Sequence, residues 1–196
     1  MAVIPIYNCF HPVLKKKTKK IMNIDDDINT LVKNMFDSLY NISNGVGLAG
    51  NQVGHEKSLF ITDLSIGSDN PKTEPMVFIN PEILEFSDEE DDYSEGCLSI
   101  PDYYEKVTRP VKISVKYYDL KEKEHIRDLE GFHARVFQHE YDHLLGILMY
   151  ERLSPIRRTL SKNKLNRLKR GQIIPDYPMI QPDGSLTGED RIKEAV

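Results

Sequence analysis

The sequence predicts an α+β domain. Mainly antiparallel sheets surround a central helix bearing the pattern HExxH, with an N-terminal and a C-terminal helix beside them. Apolar residues recur at three- and four-residue spacing in three separate stretches, and the β-type runs are bunched between the first two. That grouping lacks regular strand–helix–strand alternation, so it favours antiparallel pairing over a parallel sheet. Pro, Asn and Asp between the runs supply the turns.

The first helix is read from Ile28, Leu31, Val32, Met35, Phe36, Leu39 and Ile42, which form one apolar face after the acidic start Asp25, Asp26 and Asp27. Its stop is expected at Asn44 and Gly45, residues that tolerate a left-handed turn. Strands are expected at Leu59 to Thr62, Met76 to Ile79 and Ile83 to Phe86. Another follows where Val111, Ile113, Val115 and Tyr117 alternate with Lys112, Ser114 and Lys116. A second helix runs from about Gly131 to Leu145 and stops at Gly146. The third is expected over 155–170, with Leu160, Leu165 and Leu168 packed inward. The acidic run from Asp88 to Asp92 reads as a solvated loop. From Gly171 onward, Pro175, Pro178, Pro182, Gly184 and Gly188 break all periodicity. Residues 1–170 are therefore expected to form the folded domain and 171–196 an irregular extension.

A chain of 196 residues with 39% hydrophobic and 29% charged residues suits one globular domain. No run approaches the length needed to span a bilayer, and no basic leader precedes an apolar stretch, so a cytoplasmic protein without membrane partners is expected. Cys9 and Cys97 are the only cysteines, which excludes a disulfide framework. The formal charge of −5 argues against DNA or other nonspecific nucleic-acid binding by the whole molecule.

Chemistry concentrates in three segments. In QHEYDH, His139 and His143 stand four apart, about one helical turn, so both imidazoles leave one face and can close on one metal ion. Glu140 then lies beside the metal, free to move a proton. A pattern this short also arises by chance on an amphipathic helix, so a third ligand decides its meaning. The zinc-peptidase continuation HExxHxxGxxH fails here: Gly146 falls on its glycine, but its last histidine is Met149, a poor ligand at a hard catalytic centre. Upstream, SEGCLSIP offers Cys97, which is otherwise a small buried hydrophobe. Two histidines and a thiolate would leave the fourth position open, as catalytic sites require. In GVGLAGNQ, two glycines permit close backbone approach to a bound chain and Gln52 offers a neutral amide. The alternative for that segment is a helix cap and an ordinary turn.

In this order the three segments resemble the motifs GφGφAAxQ, EGCLS and QHExDH of the peptide deformylase family, and the resemblance covers roughly residues 3 to 170. Gly50 departs from it, standing at the second alanine of the first motif. Were that position helical, glycine would cost about 1 kcal/mol relative to alanine.

The resemblance implies a hydrolase that removes the N-formyl group from the initiator methionine of nascent polypeptides and releases formate. It implies Cys97, His139 and His143 as ligands of one divalent metal and Glu140 as general base and acid. The Leu98 N–H and the Gln52 amide become donors to the developing oxyanion. Iron(II) is the metal implied, with zinc, nickel or cobalt able to substitute, while the donor set by itself suits zinc. Phe132 and Val136 continue the metal-binding helix face and, with Val46, would form the methionine pocket; without the resemblance they read as core. Gly45 and Gly47 would pair with an extended peptide. Glu95 and Arg109 resemble an ion pair bracing the cysteine loop.

The basic stretch 155–170, with seven Lys or Arg and no acid from Arg157 to Arg170, suggests docking on ribosomal RNA. Two other readings stand beside this one. A different HExxH amide hydrolase or peptidase would not call for Gln52 and Cys97 in these contexts. A noncatalytic ribosome-binding relative should be damaged at Glu140 or a ligand, and these are intact.

Overall fold

A computed structural model describes residues 3–42, 45–66 and 73–188. Strand β1 (Ile6–Tyr7) leads to helix α1 (Asp26–Tyr40), which the Asp25 side chain caps by accepting from the Ile28 N–H at 3.0 Å. Then come β2 (Gly47–Ala49), β3 (Leu59–Thr62) and β4 (Met76–Phe86), the long hairpin β5 (Glu90–Cys97) and β6 (Ile100–Pro110), and β7 (Lys112–Tyr118) with β8 (Glu124–Glu130). Helix α2 (Gly131–Leu144) carries the HExxH pattern, and α3 (Pro155–Leu160), α4 (Lys162–Lys169), β9 (Met179–Ile180) and β10 (Leu186–Thr187) follow.

An antiparallel sheet in the order β2-β3-β4-β7-β8 lies between α1 and α2. Period-two alternation splits β3 between the two faces: Leu59 and Ile61 pack with Leu31, Met35 and Leu39 of α1, while Phe60 packs with Phe78 and Phe137 on the α2 side. The three rings sit 4.7 to 5.1 Å apart and are fully buried, each contributing on the order of 1.5–3 kcal/mol by leaving water. The β5–β6 hairpin covers a further core in which Ile100, Tyr103 and Val107 meet Leu165 and Leu168 of α4.

The predicted class is the observed one, and several elements differ in detail. Helix α1 ends at Tyr40 with Asn41 as its cap; Gly45 has no left-handed φ, and Asn44 lies outside the described residues. The two runs expected at 76–79 and 83–86 are one strand with shifts in register. The acidic stretch expected as a loop contributes Glu90 to Asp92 to strand β5; their backbone pairs with β6 although their side chains face water. Strand β8 escaped prediction for the same reason, since only Leu129 in it is buried.

The third helix breaks at Ser161. Its hydroxyl donates to the Arg157 carbonyl at 2.8 Å and accepts from Tyr103 at 2.5 Å, a back-bond that competes with helix continuation. Leu165 and Leu168 are buried as expected, whereas Leu160 is 77% exposed. Gly146 closes α2 with φ 74°. The tail expected to be irregular instead returns to the core: β9 pairs in parallel with β1, and Tyr177 and Met179 join the α1 cluster.

Candidate active site

Five elements meet at one cleft of about 620 Å³. Cys97 ends β5, where the hairpin tip brings its thiol within 3.2 Å of the His143 Nε2. One helical turn separates His139 from His143, and the ligand atoms of Cys97, His139 and His143 all lie within 4.8 Å of one another. Soft sulfur with two imidazoles in a nearly buried site is a donor set that fits one divalent transition metal.

The charges agree with that fit. Burial and the neighbouring His139 charge hold His143 well below the usual histidine range, so its imidazole is neutral as a ligand must be. Burial also opposes charge on His139, but Cys97, Glu95 and Glu140 win and push it up, which makes this a place that favours a cation.

Beneath the thiol and imidazoles runs a buried ion network. Arg109 donates to both oxygens of Glu95 at 2.7 and 3.0 Å, and Arg135 reaches the same carboxylate at 3.1 Å. The remaining Glu95 contact is the His139 Nδ1 at 3.0 Å, which turns the other ring nitrogen toward Cys97 and His143. Burial raises the Glu95 pKa, yet the hydrogen bonds from His139 and Arg109 outweigh it and hold the carboxyl well below the ordinary range. Asp142 extends the network from the helix, accepting from Arg109 at 2.6 Å and from Arg152 at 2.5 Å.

Glu140 differs. Its Oε2 is buried with no hydrogen-bond partner among the described residues, and burial raises its pKa to about 7. The β2 backbone presses against it so closely that a Cβ on Gly47 would lie 2.6 Å from the Glu140 Oε1, so any larger residue there would displace the Glu140 carboxyl. Gln52 sits in a 3-10 turn at Gly50–Val53; its Oε1 accepts from the Ala49 N–H at 2.8 Å, which fixes the amide orientation. The amide nitrogen therefore faces the hairpin tip, 3.2 Å from the Ser99 Oγ and 3.8 Å from the Cys97 sulfur. Gly50 opens that turn, where a Cβ would approach the Lys57 carbonyl oxygen at 2.9 Å, so glycine accommodates the close backbone.

Of the residues singled out by sequence, Gln52, Glu95, Cys97, Leu98, His139 and Glu140 line the cleft. So do Gly45, Val46, Gly47, Phe132 and Val136. His143 enters through its ring nitrogen, and Arg109 acts from below through Glu95. Sequence reasoning missed Arg135, which stands four before His139 and so shares its helix face, a signal available from spacing alone. It also missed Tyr104 and the tail residues Ile174 to Tyr177, which reach the cleft only through the fold.

A family model described as polypeptide deformylase matches residues 3–159. Among curated relatives, the peptide deformylase of Salinibacter ruber is 37% identical, over 92% of this chain and 96% of its own. That of Christiangramia forsetii is 39% identical, over 92% and 97%. Among solved structures, the Plasmodium falciparum peptide deformylase superposes with TM-score 0.79 at 35% identity, covering 85% of this chain and 95% of that one. The Thermotoga maritima enzyme gives 0.73 at 37%, covering 79% and 100%. With Gln52, Cys97 and the α2 histidines gathered on one cleft, these similarities have one meaning: the chain belongs to the peptide deformylase family, metal-dependent hydrolases that act on nascent formylmethionyl peptides.

Proposed function

We propose that Cys97, His139 and His143 hold one divalent metal, iron(II) as the physiological ion with zinc, nickel or cobalt able to replace it, and that Glu140 is the general base and acid of deformylation. The observation that carries this reading is the buried Glu140 oxygen, without a hydrogen-bond partner among the described residues and with a pKa raised to about 7, on the same cleft as Cys97 and His139. A bound divalent cation there would acidify water and polarise a carbonyl.

The chain's own groups do the rest. Glu140 accepts a proton from the water that attacks the formyl carbon, and the formyl oxygen becomes negative as the carbon turns tetrahedral. The Gln52 Nε2, aimed by the Ala49 N–H, and the Leu98 N–H donate to that oxygen. Glu140 then delivers its proton to the departing nitrogen as the C–N bond breaks, and formate and a free amino terminus leave. Glu95 and Arg109 keep the His139 ring turned inward.

Phe132, Val136 and Val46 form the apolar pocket for the methionine side chain. Strand β2 is the free edge of its sheet, so Gly45 to Gly47 can add the peptide as a further strand. Residues 1–170 supply these groups and act as the catalytic domain, in the cytoplasm. Among the described residues no helix is long and apolar enough to cross a membrane.

Formate release from formyl-Met peptides under anaerobic conditions, with acetyl-Met peptide as control, tests the reading. Glu140→Gln should lower turnover by about 10²- to 10⁴-fold while retaining metal. Equal turnover by that variant, or none by metallated wild type, would overturn the assignment.

The basic stretch supports ribosome docking as a second element of the function. Arg157 pairs with Glu105 at 3.0 Å and Lys164 binds the Asp102 carbonyl. Among the described residues, Lys162, Arg167, Lys169 and Arg170 are exposed and form no ion pair. Changing these four to Glu should abolish co-sedimentation with ribosomes; unchanged co-sedimentation would end the docking idea.

A further inference from the structure

We propose that the segment after α4 is a working part of the substrate site, with Tyr177 the positioning residue that holds the Leu98 turn and its oxyanion-binding N–H in place. This rests on the deformylase reading above. The Tyr177 hydroxyl donates to the Leu98 carbonyl at 2.6 Å, across 79 positions of sequence. Ile174, Pro175, Asp176 and Tyr177 line the same cleft as Cys97 and Glu140. The segment is anchored on its far side: the Ile6 N–H donates to the Pro178 carbonyl at 2.9 Å, β9 pairs with β1, and Met179 is fully buried.

The turn itself explains why such a brace matters. Cys97 pairs with Ile100 across the hairpin tip, and two residues lie between them. Ser99 is held twice, by the Cys9 N–H on its carbonyl at 2.9 Å and by Gln52 on its hydroxyl at 3.2 Å. Leu98 has Tyr177 alone among the described residues, and its own N–H donates to no protein acceptor there. A donor fixed in advance needs no reorganisation when charge develops on the substrate. Tyr177 thus acts through Leu98, with its ring supported by the α1 core cluster.

The test compares zinc-loaded full-length wild type with Tyr177→Phe, which keeps the ring and removes the hydroxyl. On a formyl-Met peptide, kcat should fall by about five- to tenfold while KM stays within about twofold. Amide hydrogen exchange at Leu98 to Ile100 should quicken, a readout independent of turnover. Should the Phe variant fail to fold, Tyr177→Met, also without the hydroxyl, carries the same expectation. Unchanged kcat with unchanged exchange in a folded variant overturns the proposal, as does a loss of kcat matched by a rise in KM. A wild type that releases no formate defeats the deformylase reading instead, and exchange at Leu98 then still tests the brace.

Discussion

Glu95 and Glu140 are both buried carboxylates beside His139, and their surroundings drive them in opposite directions. Glu95 accepts from Arg109, Arg135 and His139 and stays ionised far below the ordinary range. Glu140 keeps one oxygen without a partner among the described residues, and burial raises its pKa to about 7. The carboxylate of the ion network is saturated with partners, and the one beside it on α2 is left wanting them. A saturated carboxylate fixes geometry; an unsatisfied one is free to exchange a proton with a substrate or water.

The sharpest way to break this contrast is to remove each charge without changing shape. Glu140→Gln should cost turnover by about 10²- to 10⁴-fold, yet leave the melting temperature equal or higher, because it deletes a carboxylate that burial disfavours. Glu95→Gln should instead cost stability. It strips compensation from a buried Arg109, and breaking such a pair costs about 3–5 kcal/mol of stability in denaturant titration. Comparable destabilisation by both substitutions would erase the distinction between the two carboxylates.

Acid titration sharpens the same point. The folded pKa of Glu95 lies below its unfolded value, so its stabilisation is complete above about pH 4.5 and is lost as pH falls toward the folded value. Wild type should therefore lose stability more steeply than Glu95→Gln below pH 4.5, and parallel curves would contradict the depressed pKa.

Legibility from sequence follows the same division between near and far. The proposed ligands His139 and His143 and the proposed base Glu140 share one helical turn, and Cys97 and Gln52 sit in compact motifs, so spacing and chemistry exposed them. The α1 face and the β7 alternation were readable because each buries one side. Strands β5 and β8 were not, since most of their side chains face water, leaving no apolar alternation to read. Arg152 and Tyr177 were illegible for a different reason: each meets its partner only after the chain folds, Arg152 on Asp142 and Tyr177 on Leu98. The tail looked irregular because its prolines break periodicity, yet two residues of β9 suffice to tie it to β1.

The smallest effect should come from the outer end of the ion network, where Asp142 passes from the buried Arg109 to the half-exposed Arg152. The Arg152 side chain is 44% exposed against 5% for Arg109, so water screens its pairing and solvates it when freed. Arg152→Ala should cost at most about 1 kcal/mol. That is well below Glu95→Gln, with turnover close to wild type because Asp142 keeps its Arg109 bond at 2.6 Å. Urea titrations of the two variants side by side check this. A cost for Arg152→Ala equal to that of Glu95→Gln would mean the network stabilises as one rigid unit. A graded loss would locate its strength in burial around Glu95, the end that turns His139 toward Cys97 and His143.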